Sequence, residues 1–246
     1  MMKPSLLQPS LLKPTRRQCC ATAALGAAIS ALFALSSMSG CNVGVPAAYA
    51  IFGPGKIEAM HELAPVRTVV FVDDRQNVLP RTSMRAAIGD KVSRDIMERS
   101  LVPSAVRPAD AIILTRQRED GAKPLSIAAI GRELECQQVI YVQVTGFSLV
   151  GDGGNASGGI STGATPTATA VIKVIDVVNN IRTFPGSDGP GYDLVGKVRE
   201  VDQDHINTVA KRRVVEDKLA IELGEQIGKL FYEYERIDFG ENLGPR

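Results

Sequence analysis

Between Ala21 and Met38 the chain runs ATAALGAAISALFALSSM without a single charge, behind a leader whose charged residues are Lys3, Lys13, Arg16 and Arg17. A basic segment followed by an apolar stretch reads as an export signal. Roughly 18 apolar residues could also just span a bilayer as an uncleaved helix. Ala, Ser and Gly dilute the stretch, however, and small-residue cleavage sites follow it directly, so removal is favoured. What folds is therefore what lies behind the leader.

Two cleavage sites compete. Met38-Ser39-Gly40-Cys41 resembles a bacterial lipobox, in which the Cys is lipidated and becomes the new N-terminus. Ala48-Tyr49-Ala50 fits ordinary secretory cleavage, but lies ten residues farther from the apolar run. The sequence thus points to residues 1–40 as signal and to Cys41 as a lipid anchor holding the protein to a membrane. Asn42 is not the Asp that retains lipoproteins at the inner membrane of well-studied Gram-negative bacteria, which favours the periplasmic face of the outer membrane. Thr15-Arg16-Arg17 hints at twin-arginine export, although Gln18, Cys19 and Cys20 continue that pattern poorly.

Cleavage sorts the four cysteines. Cys19 and Cys20 leave with the signal, Cys41 is the anchor, and Cys136 remains alone, so no internal disulfide is available. The domain must hold by its packed core, with Cys136 as a small apolar filler. The chain carries 28 basic and 27 acidic residues; four of the basic ones and none of the acidic ones precede Cys41, leaving 24 against 27, a net of −3. Such a surface gives no electrostatic footprint for nucleic acid. Trp is absent and aromatics make up 5% of the residues, which argues against base-stacking platforms and ring-lined sugar clefts.

Residues 41–66 are interrupted by Gly and Pro and read as a tether. A single α/β domain is expected over 67–235, with a loose tail over 236–246. It opens on the buried strand Val69-Val70-Phe71-Val72-Asp73-Asp74. Thr82 or Ser83 then caps a helix with Met84, Ile88, Val92 and Ile96 on one face, widened by Ala87 and Met97. Pro103 and Pro108 make residues 101–111 irregular, and Ala111-Ile112-Ile113-Leu114 fits either a strand or a helical turn. A second helix starts at Ser126 with Ile127, Ile130 and Leu134 aligned. Residues 138–147 (QVIYVQVTGF) form the clearest strand. A flexible glycine-rich loop at 151–165 leads to the strand 168–178, a turn at Asn179-Asn180, and a weaker strand pair flanking 186–191. A long amphipathic helix closes the chain, its apolar stripe taking in Val209, Val214, Leu219, Leu223, Ile227, Leu230, Phe231 and Tyr234. The fold class is a mixed α/β (α+β) one: a largely antiparallel sheet packed against two to three helices.

The strand VVFVDD, the helix after it, the segment 127–145 (IAAIGRELECQQVIYVQVT) and Val171-Ile172-Lys173-Val174-Ile175-Asp176-Val177 together resemble the domain shared by the curli secretion lipoprotein CsgG, the penicillin-binding-protein activator LpoB and the N-terminal domain of TolB. The chain as a whole is similar to a lipoprotein type common in planctomycetes. The resemblance spans roughly residues 66–235 and departs at Asn179-Asn180-Ile181 and in the glycine-rich insert. It implies an envelope scaffold, activator or channel subunit without a catalytic residue set.

The chemistry-bearing residues agree. Asp73-Asp74 ends a strand as the Mg²⁺-binding pair of a receiver domain does, but the later Asp and Lys of that site are missing, so the carboxylates solvate the strand end and help cap the next segment. The loop Gly151-Asp152-Gly153-Gly154 lies between two strands and lacks the Lys and the following helix of a phosphate-binding loop. His61 and His205 have no metal-ligand spacing around them. No G-x-S-x-G, C-x-x-C or H-E-x-x-H occurs. Lys211-Arg212-Arg213 sit among Asp202, Asp204, Glu216 and Asp217 and read as an ion-paired, solvated helix face. No catalytic, cofactor or metal residues are therefore assigned. The expected role is a non-catalytic binding or assembly module anchored by Cys41, with a protein partner or a second copy of itself. A structural homo-oligomer is the alternative, and a small periplasmic ligand-binding protein or enzyme a more distant one.

Overall fold

The computed structural model describes residues 55–118, 124–150, 163–186, 189–199, 201–202 and 206–235. Cys41, the leader, most of the glycine-rich loop, His205 and the tail from residue 236 lie outside the described residues. The elements in chain order are β1 (Lys56–Ile57), β2 (Thr68–Asp73), α1 (Ser83–Glu98), β3 (Ala105–Val106), α2 (Pro108–Arg118), α3 (Ile127–Glu133), β4 (Gln138–Ser148), β5 (Gly163–Ala164), β6 (Thr167–Asp176), β7 (Ile181–Phe184), β8 (Tyr192–Lys197), β9 (Val201–Asp202), α4 (Val209–Gly228), a 3₁₀ turn (Lys229–Phe231) and β10 (Tyr234–Glu235). The fold is mixed α+β.

The main sheet has the order β3-β2-β4-β6-β7, with β8 also on β6. β2 is parallel to β3 and β4, and β6 runs antiparallel to β4. The two weak strands expected around residues 186–191 do not pair with each other. Both lie along the same edge of β6, β7 against Val174–Asp176 and β8 against Thr167–Ile172, so they form one edge interrupted by the excursion between them.

Two cores follow from strand alternation. Val70, Val72, Ile140, Val142, Val144, Ile172 and Val174 point to one face, where Met84, Ile88, Val92 and Ile96 of α1 and Leu219, Leu223 and Ile227 of α4 cover them. The four α1 side chains are at most 1% exposed, and each contributes roughly 1.5–3 kcal/mol of burial. Val69, Phe71, Val139, Tyr141 and Ile175 point to the other face, under Ala111 of α2 and Ile130 and Cys136 of the α3 region.

A bulge opposite Thr169 breaks this alternation late in β4. By strict period-two counting Phe147 would share a face with Tyr141. The extra residue at Thr145/Gly146 resets the parity, and Phe147 packs against the α1/α4 core instead.

Several sequence expectations are corrected. The segment 111–114 is helical, inside α2, because Pro108 supplies a pre-set φ at a helix start rather than ending one. Within the expected irregular stretch, Ala105–Val106 forms a short strand on β2. Thr82 stands at the α1 N-cap with helical dihedrals and no side-chain cap bond, whereas Ser126 does cap α3, its hydroxyl accepting from Ala129 N at 3.2 Å. Met97 is 40% exposed and does not widen the α1 stripe. Val209 and Val214 are 65% and 55% exposed because the first six residues of α4 are all solvent-exposed.

Inside the span read as tether, Lys56 and Ile57 pair with Glu235 and Tyr234, the amides of Met60 and His61 donate to Leu230 O, and Leu63 is buried at 6%. The same unit, Lys56–Arg236, contains both cores.

Candidate functional site

α2 and α3 cover only part of their face of the sheet. Beyond Tyr141 and Asp73, no described helix packs on Gln143, Val171 and Asp193, which stand side by side on β4, β6 and β8. At the border of this area lies a cluster of polar side chains. β2 ends in Asp73, 4% exposed, and parallel pairing sets Phe71 beside Tyr141 one register step earlier. The Tyr141 hydroxyl donates to Asp73 Oδ2 at 2.7 Å, and Arg75 Nε meets the same oxygen at 2.8 Å. Burial, followed by the hydrogen bond to Asp73 and its charge, pushes the Tyr141 phenol far above its usual range. The hydroxyl thus stays protonated and serves as a donor that fixes Asp73.

Cations flank the aromatic pair. The Arg85 guanidinium lies 5.9 Å from the Phe71 ring centre while its Nε donates to Val72 O at 2.9 Å, and Lys173 Nζ lies 5.9 Å from the Tyr141 ring centre. The row Arg85–Phe71–Tyr141–Lys173 is therefore cation, ring, ring, cation, backed by an ion-paired carboxylate. Arg75, half exposed at 49% of its side chain, reaches the surface beside it. Both rings are buried, so what this border offers a partner is the charge and N–H donors of the cations around them, Arg75 foremost. It holds its one buried carboxylate and its one phenol locked together rather than poised for proton transfer.

The expected Asp73-Asp74 pair is thus divided. Asp74 does cap the turn after the strand, accepting from Val78 N at 2.8 Å and Leu79 N at 3.2 Å. Asp73 is not solvated but buried, because Tyr141 and Arg75 satisfy it. Tyr141 was missed in the sequence for want of a register. Sliding VVFVD along VIYVQ in parallel puts Phe71 and Asp73 in phase with Tyr141 and Gln143, a signal that period-two counting of both strands contains.

Cys136 is 4% exposed, its thiol donating to Leu134 O at 3.5 Å, and burial raises its pKa against the opposing pull of Arg67. That matches the filler reading. His61 lies 5.1 Å from the Phe184 ring and 6.4 Å from that of Phe231, and burial lowers its pKa. Among the described residues no group of three His, Cys, Asp or Glu side chains could hold a metal ion, and no helix is long and apolar enough to cross a membrane.

Lys211, Arg212 and Arg213 are exposed on the leading turns of α4, with Arg212 reaching Ile206 O at 3.4 Å. Of the acids expected around them, Glu216 and Asp217 bind Arg81, at 3.0 Å and 2.7 Å, tying the turn after β2 to α4, while the side chains of Asp202 and Asp204 lie outside the described residues. At the opposite end of the sheet, Ala64, Val66, Gln138, Asp176 and Val178 line a cleft of about 250 Å³. Its polar groups are already engaged. Asp176 accepts from the side-chain and backbone N–H groups of Asn179 and from Val178 N, and Gln138 Oε1 accepts from the Thr68 hydroxyl. With its volume below the usual range of about 300–1,000 Å³ for ligand pockets, this cleft is a by-product of the β6–β7 turn.

No protein family's sequence pattern matches the chain, and no curated protein matches it in sequence. Solved structures do resemble it in fold. A PelC dodecamer subunit from Paraburkholderia phytofirmans aligns over 72% of this chain and 96% of its own at 10% identity, with a TM-score of 0.36. Lipoprotein GNA1162 from Neisseria meningitidis aligns over 63% and 94% at 11% identity and a TM-score of 0.35. The LpoB C-terminal domain from Salmonella enterica aligns over 57% and 87% at 13% identity and a TM-score of 0.30. The likeness is distant in every case, and lipoproteins are among these structures.

Proposed function

We propose that the protein is an envelope lipoprotein, held at a membrane through Cys41, whose domain is a non-catalytic docking module for another envelope protein. The observation that carries this reading is the half of the sheet beyond Tyr141 and Asp73 that no described helix covers. Gln143, Val171 and Asp193 line it, and the row Arg85–Phe71–Tyr141–Lys173 borders it. Rigid strands present these groups, so a partner meets a surface ordered in advance. The uncharged stretch 21–38 and the lipobox-like Met38-Ser39-Gly40-Cys41 support the anchored location, with the periplasmic face of the outer membrane favoured by Asn42.

The test has two arms. Growth with a clickable fatty acid should label the protein, and Cys41→Ser should abolish the label and release the protein from the membrane fraction. A photo-crosslinking residue at Gln143 should yield an adduct with a different protein in intact envelopes, lost when Lys173→Glu and Arg75→Glu reverse the bordering charges. Label that survives Cys41→Ser overturns the anchor, and an adduct-free Gln143 overturns the docking face.

A further inference from the structure

The edges of the main sheet are unequally protected. A strand edge exposes unpaired N–H and C=O groups that can template another strand, and proteins blunt such edges with caps, bulges, prolines or charges. On the β2 side, β3 occupies Thr68 and Val69, and farther along the Arg85 side chain takes Val72 O. On the β6 side, β7 pairs with a register shift between Val174 and Ile175 and runs directly into Pro185. Among the described residues, β8 has no cap, bulge or proline, and of these devices carries only two charges, Asp193 and Lys197. It pairs with β6 over six consecutive residues without a shift, contains no proline, and has no second strand among the described residues.

Its side chains are arranged for one particular neighbour. Asp193, Val195 and Lys197 point to the open face; the two charges are exposed and Val195 is 48% exposed. Among the described residues neither Asp193 nor Lys197 takes part in an ion pair. Four residues along a strand is about 13 Å, too far for them to pair with each other. We propose that β8 is a self-pairing edge: a second copy of this chain adds its own β8 antiparallel, centred on Val195. In that register Asp193 stands opposite the partner's Lys197, Lys197 opposite the partner's Asp193, and the two Val195 side chains meet on the two-fold axis.

The register is selected by charge. A parallel arrangement would set Asp193 against Asp193 and Lys197 against Lys197, and like charges directly opposite are destabilising. An antiparallel slip that sets Asp193 opposite Val195 loses both ion pairs. On the other face the partner's Leu194 falls opposite the glycine at 196, over which α4 closes so tightly that a Cβ would lie 3.0 Å from Leu223 Cα. Such an isologous contact closes at two copies, and joins the two open faces into one surface. The inference concerns the β8 edge and holds whether or not the open face binds a further protein.

Sedimentation equilibrium of the full chain in detergent, corrected for bound detergent, reads the outcome directly. The wild type should weigh twice one chain. Asp193→Lys alone and Lys197→Asp alone should each weaken dimerisation by about tenfold or more. The double charge swap, Asp193→Lys with Lys197→Asp, should restore wild-type mass, a recovery that a merely misfolded variant would not show. Val195→Cys should cross-link two copies on mild oxidation. A wild type that stays monomeric at about 100 µM, a concentration far above the dissociation constants of stable dimers, would overturn the proposal. So would single reversals that leave the dimer intact, or a Val195→Cys dimer that does not cross-link.

Discussion

At the scale of single residues, Tyr141 decides whether the end of β2 is ordered. Asp73 is buried, and it tolerates burial because a phenol and a guanidinium share its Oδ2. Removing the hydroxyl leaves that oxygen to Arg75, which is half solvated. Tyr141→Phe should therefore lower stability by about 1–2 kcal/mol, the net worth of a hydrogen bond to a charged group, read from the urea midpoint at neutral pH. The alkaline limb separates this role from simple packing. The folded pKa of Tyr141 is raised above its unfolded value of about 10, so the unfolded state loses the proton first as pH rises. The phenol's contribution is complete below about pH 10 and declines above it. The wild type should lose stability above pH 10 more steeply than Tyr141→Phe, and the two curves should converge there. Parallel curves would mean that the hydroxyl is solvated in the folded protein.

At the scale of elements, α1 and α4 pack through Gly224 and Gly228, spaced four apart on one face of α4. A Cβ at Gly224 would lie 2.8 Å from Lys91 Cβ and 2.9 Å from Ile88 O, the latter a backbone atom that cannot turn aside. Gly224→Ala gains about 1 kcal/mol of helix propensity but forces the helices apart, at about 1–3 kcal/mol of overpacking cost. Packing should win: a net loss of up to about 2 kcal/mol on thermal or urea unfolding. The seam also shows what the sequence can and cannot carry. The α1 stripe Met84, Ile88, Val92 and Ile96 was legible because four evenly spaced apolar residues have one interpretation. The α4 stripe was legible only from Leu219 on. Val209 and Val214 keep the spacing but precede the point where α1 begins to oppose the helix, and periodicity says nothing of where a neighbour ends. Asp73 and Tyr141 escaped for a related reason: two strands 70 residues apart must be set in register before their side chains can be seen to meet. The collinear β7 and β8 escaped because loop residues give no hint that both return to one edge.

At the scale of the whole molecule, the issue is where the lead-in stops and the domain begins. Composition put that border at residue 66. The contacts reach back to Lys56: β1 pairs with β10, Leu230 O receives two amides from Met60 and His61, and Leu63 is buried in the α1/α4 core. With Cys41 as anchor, Gly55 lies fourteen positions farther on, a reach of at most about 50 Å at full extension. Taking the border at residue 66 instead would add about 40 Å to that limit, so the two assignments differ greatly in how far the open face and the β8 edge can stand from the membrane. A chain beginning at Gly55 should unfold at the urea midpoint of the mature protein. One beginning at Val66 loses the Leu63 side chain, worth roughly 1.5–3 kcal/mol, and leaves β10 without its partner strand. It should be less stable by about 3 kcal/mol or more, or fail to fold. Equal midpoints would place residues 55–65 with the tether, and would return the longer reach to the anchor.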